Sequence, residues 1–401
     1  MKIAIVGAGI GGLAAALALR RVGADVTVYE RAPELTEVGA GISLWANALR
    51  ALEQIGVRAE VEALCLPATR TEIRLRQGRR GAAEFDVAAF ERRFGCRPFL
   101  AMIHRADLVS ALHAALPADS ILFGKSCTAV GSVGDQAVVR FADGDEQTAD
   151  LVIGADGIRS AVRAVTLGES EPRYSGYACW RGLCARPEAI EPGYLGEWWG
   201  YGRRLGITTL PDDRVYWWAT HNAPPSDGGE ANDDLATLRR ALADWADPVP
   251  QMLADTPEDA AFRHDILDRP PDRRWANLRS VLIGDAAHPT TPNFGQGGCL
   301  AIEDGVVLAR QLAPIAADRP SGEELTAALE RFVTERFRRT SAITNESRRM
   351  GRIGQLENRF ACGLRDASIG LLLPLIGGRS LPKYAAFDVG SLPAREPAPA
   401  V

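Results

Sequence analysis

The sequence lacks the marks of several large protein classes. No stretch reaches the roughly 18 uninterrupted apolar residues of a membrane-crossing helix, and the apolar run Ile369 to Gly378 is short enough to pack on protein. The seven cysteines, Cys65, Cys96, Cys127, Cys179, Cys184, Cys299 and Cys362, form no Cys-x-x-Cys pair, and the five histidines show no metal-ligand spacing. A reducing, cytoplasmic setting and no structural zinc are the expectation. Basic runs are absent, and the net charge is −5, which argues against a nucleic-acid partner. Long charged blocks and internal repeats are missing too. At 401 residues and 46% hydrophobic content the chain is ordered and long enough for two well-buried domains. A small organic substrate is the default, and the oligomeric state stays open.

What is present begins with glycine. Met1-Lys-Ile-Ala-Ile-Val-Gly-Ala-Gly-Ile-Gly-Gly12 reads as an apolar strand, a tight turn and the start of an Ala/Leu-rich helix. Gly7 permits the turn, Gly9 lets the backbone approach a pyrophosphate, and Gly12 lets the helix pack on the strand. The helix N-terminus offers free N–H groups to an anion. Gly23 stops the helix, Asp25 to Tyr29 is the second strand, and Glu30 falls at its end, where an acid hydrogen-bonds the ribose of an AMP half. Met1 to Arg20 has some likeness to a secretory signal, but its glycines are already used by the turn.

Val38 to Asn47 is a glycine-rich loop able to fold over a bound cofactor, leading into a helical run from Ala48 to Ile55. A further helix begins at Ile103 to Leu108. Ile121 to Phe123, Ala137 to Phe141 and Leu151 to Ile153 read as strands separated by glycine turns. From about Arg173 to Arg274 the texture changes to aromatic-rich strands bracketing the turn Pro211-Asp212-Asp213. Ser280 to Ile283 resumes the buried-strand pattern, Gly284-Asp285 follows, and Gly298 to Gln311 is a long helix. The fold class is α/β: a discontinuous Rossmann-type nucleotide domain (1–172 and 275–345), an inserted, mainly antiparallel sheet (173–274), and C-terminal helices with a loosely held Pro/Ala-rich tail (346–401).

Three segments carry a resemblance. They are the N-terminal glycines, Leu151-Val-Ile-Gly-Ala-Asp-Gly-Ile-Arg-Ser-Ala-Val-Arg163, and Gly284-Asp285-Ala-Ala-His-Pro-Thr-Thr-Pro-Asn-Phe-Gly-Gln-Gly-Gly298. In this order and spacing the chain resembles the class A FAD-dependent monooxygenases, the para-hydroxybenzoate hydroxylase-like family, over roughly residues 1 to 345. The resemblance implies FAD, with Gly9, Gly12, Glu30 and Arg31 on the ADP half, the Cys127 backbone at the adenine, and Ser43 and Arg105 also touching the cofactor. Asp156 and Asp285 are implied as FAD-orienting acids, Asp285 on the ribityl chain and Asp156 also tied to NAD(P)H use. Gly295, Gln296, Gly297 and Gly298 would open a helix toward the flavin, and the Pro292 carbonyl would lie by its reacting edge. On the residues alone, Asp285 can accept ribityl hydroxyls or cap a helix. The placing of His288 in the loop suggests a structural hydrogen bond.

The implied reaction has two halves. NADPH or NADH, visiting transiently, reduces FAD; reduced flavin then captures O2 as a C4a-hydroperoxide that passes one oxygen to an electron-rich aromatic or heteroaromatic molecule. A flavin reductase on the same fold, or an isoprenoid epoxidase, is the alternative. Within the family, Thr290 to Asp304 and Val38 to Asn47 are similar to the urate hydroxylases and the zeaxanthin epoxidase-like branch. Arg204 and Tyr216 fall on the urate enzymes' substrate arginine and catalytic tyrosine, against the plainer readings of a surface arginine and a core aromatic. Cys179 stands where those enzymes place an asparagine, and a thiol cannot replace an amide's paired donor and acceptor, which argues against urate itself. Trp198, Trp199, Trp217 and Trp218 alternate along strands, so some must point away from any pocket.

Overall fold

The structure, a computed structural model, describes residues 1–35, 40–77, 83–226, 235–277, 279–369 and 384–393. A five-stranded parallel sheet has the order Ser280–Leu282, Leu151–Gly154, Lys2–Val6, Asp25–Tyr29, Ile121–Leu122. Its inner strands are near-continuous apolar runs because both faces are covered; Ile3, Ile5, Val152, Ile153, Val281 and Leu282 are all buried. The strand Leu151–Gly154 therefore pairs with the first strand on one side and with one from near residue 280 on the other. The helices Ile10–Arg21 and Gly297–Leu312 supply further buried residues to the same core.

A seven-stranded sheet has the order Ala261–Asp268, Arg173–Ala185, Arg214–Asn222, Arg203–Leu210, Tyr194–Trp199, Arg70–Leu75, Ala83–Phe85. Its pairings are antiparallel except that of Tyr194–Trp199 with Arg70–Leu75, which is parallel. The sheet thus recruits two strands from well outside 173–274. The turn at Pro211 to Asp213 forms as expected, with Asp212 and Asp213 in the left-handed region, a conformation aspartate tolerates better than most residues.

Two expectations change. Gly41–Trp45, expected as part of a loop, is a strand hydrogen-bonded antiparallel to Leu100–His104; residues 38–39 of that expected loop lie outside the described residues. Cys127–Val133 and Glu146–Ala149 flank Gln136–Phe141 as strands. Both are half exposed, which is why no apolar run marks them.

The 33-residue helix Gly322–Gly354 opens with a capping box, Ser321 accepting from the Glu324 N–H while the Glu324 carboxylate accepts from the Ser321 N–H. Residues 359–369 are also helical. The expected loose tail is tied down where it is described: Tyr384 Oη donates to Glu346 (2.7 Å), Arg50 to the Ala386 carbonyl (2.8 Å), and the Leu392 N–H to Gln54 (3.1 Å). Most of Ile369 to Gly378 and the final residues fall outside the described residues.

A buried ion cluster joins the helices Gly297–Leu312 and Gly322–Gly354. Arg336 donates to Glu303 (2.6 Å) and Asp304 (2.7 Å), and Arg339 donates twice to Glu303. His288 Nε2 lies 2.6 Å from Asp304, the structural hydrogen bond expected for this histidine. Burial opposes ionisation of Asp304, but His288, Arg336 and the Gly284 N–H outweigh it and hold the carboxyl at about 2.

Candidate functional site

One cavity of about 1430 Å³ runs from the glycine turn after Lys2–Val6, past the start of Gly297–Leu312, to one face of the seven-stranded sheet. At its first end Gly7, Gly9, Glu30, Arg31 and Cys127 line the wall. A Cβ on Gly9 would meet nothing within 4 Å, so the turn leaves open space beside its backbone. Glu30 accepts the N–H groups of Ala8 (2.8 Å) and Ala32 (2.9 Å), one on each carboxylate oxygen, which fixes it against the turn. Burial pushes the Cys127 thiol up to about 11.

Gly12 is not on the cavity wall, and a Cβ there would lie 2.0 Å from the Gly7 carbonyl oxygen, so its glycine serves the close packing of turn on helix. The Gln296 side chain is not on this wall and accepts from Asn47 Nδ2 (3.0 Å).

In the middle stand Ser43, Arg105, Asp285, Gly295, Gly297 and Gly298, with Pro292 close by in sequence. Asp285 follows the buried strand Ser280–Leu282 within a short 3-10 turn. By accessible area it is exposed, yet the surface it shows is the inner wall of the cavity. Enclosure by protein on its other sides raises its carboxyl pKa against the opposing charges of His288 and Arg105. Among the described residues no hydrogen-bond donor is paired with this carboxylate. Asp285 caps no helix among the described residues; at the start of Ala161–Leu167 the cap is Ser160, and Asp156 braces it by accepting from Ser160 Oγ (2.5 Å) and the Ala161 N–H (2.7 Å). Burial raises the Asp156 pKa and these hydrogen bonds counter it. The helix Gly297–Leu312 has no side-chain cap, so its first N–H groups are left for a ligand at the wall formed by Gly297 and Gly298. Ser43 Oγ donates to the Gly295 carbonyl (3.2 Å), and the Pro292 carbonyl accepts the Gly295 N–H (2.9 Å).

The far end is built by sheet register. Cys179 pairs with Thr220 and His264; Arg181 with Trp218 and Phe262; Leu183 with Tyr216. Thr220 and Trp218 pair onward with Arg204 and Gly206, and those with Trp199 and Glu197. Directly paired side chains share a face, and this face lines the cavity, whereas Trp180, Trp198 and Trp217 pack into the core behind it. Gly206 is required here: a Cβ would lie 1.9 Å from the Trp218 ring, which lies over it and stacks on Tyr216 at 5.6 Å.

Arg204 and Tyr216 both reach the cavity wall, but Arg204 is already engaged. Its Nη1 donates to Glu197 (3.1 Å), Nη2 to Asn293 (2.5 Å) and Nε to Gln355 (3.1 Å). Burial pushes the Tyr216 phenol up to about 12, against the nearby charge of Arg181. Arg181 and His264 are wall residues that sequence reasoning missed. The available signal was an arginine between Trp180 and Gly182 in the otherwise apolar stretch from Tyr177 to Ala185.

These features fit FAD. The open glycine turn and Glu30 suit an ADP half, the cavity-facing Asp285 has free acceptor sites for hydroxyl groups, and the uncapped helix start suits a ring that gathers negative charge.

The FAD binding domain family matches residues 1–347. The chain is 42% identical to the aurachin C monooxygenase/isomerase of Stigmatella aurantiaca over 91% of its own length and 93% of that protein's. It is 36% identical to the FAD-dependent urate hydroxylase of Klebsiella pneumoniae, covering 79% and 83%. The crystal structure of Klebsiella pneumoniae HpxO complexed with FAD and uric acid superposes with a TM-score of 0.87 at 31% identity, covering 97% of this chain and 98% of that one. The chain belongs to the FAD binding domain family and is a class A FAD-dependent monooxygenase.

Proposed function

We propose that this monooxygenase hydroxylates a planar aromatic or heteroaromatic small molecule lying against the cavity face of the seven-stranded sheet, with NADPH or NADH as transient reductant and O2 as co-substrate. The observation that carries the reading is continuity: the glycine turn, Asp285, the uncapped helix start and the aromatic sheet face all line one cavity. At about 1430 Å³ it exceeds the roughly 300–1,000 Å³ of a single-ligand site, leaving room for a cofactor and a substrate together. The division into a nucleotide-binding body (1–172 and 275–345), an inserted segment (173–274) whose sheet is completed by Arg70–Leu75 and Ala83–Phe85, and a C-terminal part (346–401) belongs to the same proposal.

Gly9, Glu30 and Arg31, with the Cys127 backbone, would hold the ADP half; Ser43, Arg105 and Asp285 the middle; Gly295, Gly297, Gly298 and Pro292 the ring. When bound, FAD supplies the oxygen chemistry. The protein supplies orientation, a dry pocket and charge stabilisation. The first-turn N–H groups of Gly297–Leu312 and the helix dipole favour negative charge beside them. Trp199, Trp218, Phe262 and Phe294 on the wall exclude water from the substrate end. Tyr216, with its pKa at about 12, keeps its proton at Oη and serves as a hydrogen-bond donor, not a base. Arg204 acts as a positioning residue, since its bond to Asn293 ties the sheet to the loop beginning at Pro292.

The test is isotopic. Purified protein is yellow with bound FAD, an aromatic substrate accelerates NAD(P)H oxidation, and one atom from 18O2 enters the product. Substrate-stimulated NAD(P)H oxidation with hydride transfer and no label in any product contradicts the reading and favours a reductase.

A further inference from the structure

We infer that Arg181, with the His264 imidazole and the Tyr216 phenol beside it, receives an anionic oxygen of the aromatic substrate; the inference rests on the aromatic-hydroxylase reading above. The sheet face presents two cations to the cavity, Arg181 and Arg204. Arg204 spends all three guanidinium nitrogens on Glu197, Asn293 and Gln355. Arg181 differs. It hydrogen-bonds the neutral Tyr216 phenol and Cys179 thiol, its Nε has no hydrogen-bond partner, and among the described residues no carboxylate pairs with it.

A desolvated cation without a counter-charge is costly to the fold, and such groups persist where a ligand completes the pair. Register fixes its surroundings: Trp218 and Phe262 sit directly across from Arg181, and His264 one pair further along. Burial and the charge of Arg181 push the His264 imidazole down to about 3, and its Nδ1 is also unpartnered. His264 therefore adds a directional hydrogen bond without adding charge. Phe262 lies against it at 5.9 Å, so an aromatic ring carrying a charged oxygen meets apolar walls and one cation. Cys179, hydrogen-bonded to Arg181, is a neutral thiol and leaves the guanidinium's charge uncompensated.

The experiment titrates the FAD-loaded enzyme at pH 8 with two probe pairs, 3-amino-4-hydroxybenzoate against its methyl ester and 4-nitrophenolate against 4-nitroanisole. Binding is followed by tryptophan emission and FAD absorbance, with no turnover required. Wild type prefers the anion at least about tenfold in one or both pairs, as expected for a charge-assisted contact. Arg181→Met abolishes that preference, leaves affinity for the neutral partner unchanged, and melts at or above the wild-type temperature. Arg181→Lys retains part of the preference, and Arg204→Gln retains it. Absence of any preference in wild type, its survival in Arg181→Met, or a marked fall in the melting temperature or failure to fold of Arg181→Met overturns the inference. Loss of preference at Arg181 in an enzyme that incorporates no labelled oxygen would refute only the hydroxylase reading.

Discussion

Replacing Asp285 by asparagine separates cofactor affinity from folding. The carboxyl faces the cavity and has no donor among the described residues, so its acceptor capacity is available to hydroxyl groups of a bound FAD. A hydrogen bond to a charged acceptor contributes about 1.5–3 kcal/mol, so losing one raises the FAD Kd by about 10- to 150-fold. The apoprotein moves the other way. Burial raises the Asp285 pKa, so between the ordinary aspartate value and the raised one the folded chain binds more protons than the unfolded chain. Stability falls as pH rises through that window, and at neutral pH the ionised carboxyl is a net cost. Asp285→Asn removes this cost, so the stripped variant melts at or above wild type at pH 7, and the difference shrinks below about pH 4. The assay is deflavination, FAD titration by fluorescence quenching, and thermal melts of both apoproteins. Unchanged FAD affinity, or an apoprotein that melts lower than wild type, refutes the reasoning.

Arg336→Met strands Glu303 and Asp304 without their central cation and costs about 3–5 kcal/mol in denaturant unfolding. Asp304, depressed to about 2, contributes stability that is present above the ordinary aspartate pKa and lost as pH falls toward 2; the acid-unfolding midpoint of Arg336→Met therefore moves to higher pH. Gly206→Ala drives a methyl group into the Trp218 ring and destabilises by about 1–3 kcal/mol, with weaker aromatic binding in the same sample; an unchanged melt and unchanged binding contradict the packing described. Because Tyr216 stays protonated, kcat/KM shows no inflection between pH 6 and 9 (roughly the range well below its pKa) that disappears in Tyr216→Phe.

The nucleotide end was legible because each of its signals is local. Strand, glycine turn and helix adjoin one another in the chain, and Glu30 and Asp285 stand within a few residues of a strand end, so chain direction alone sets their position. The substrate end was not, because cross-strand register assembles it. Neighbouring tryptophans such as Trp198 and Trp199 must face opposite ways, but their faces are decided by the packing of Leu235–Ala241 and Val249–Asp255 behind the sheet. The parallel pairing of Arg70–Leu75 with Tyr194–Trp199 joins segments far apart in sequence, and neither strand advertises the other. Arg181 meets His264 only through such pairing. The need for a glycine at Gly12 is legible, but not that the Gly7 carbonyl oxygen is the atom that demands the space. Glu303 and Asp304, consecutive acids inside an apolar helix, carried a visible hint of buried partners, but Arg336 lies 32 residues beyond Asp304 on a separate helix, and nothing local links the two.

The most direct test of the central claim is a crystal structure of the FAD-loaded protein. The account predicts a single FAD spanning the cavity, with its adenosine end beside Glu30, its ribityl chain on Asp285 and its ring against Gly297 and Gly298, facing Trp218 and Arg181. Flavin bound elsewhere, or with its ring more than a van der Waals contact from the start of Gly297–Leu312, contradicts it.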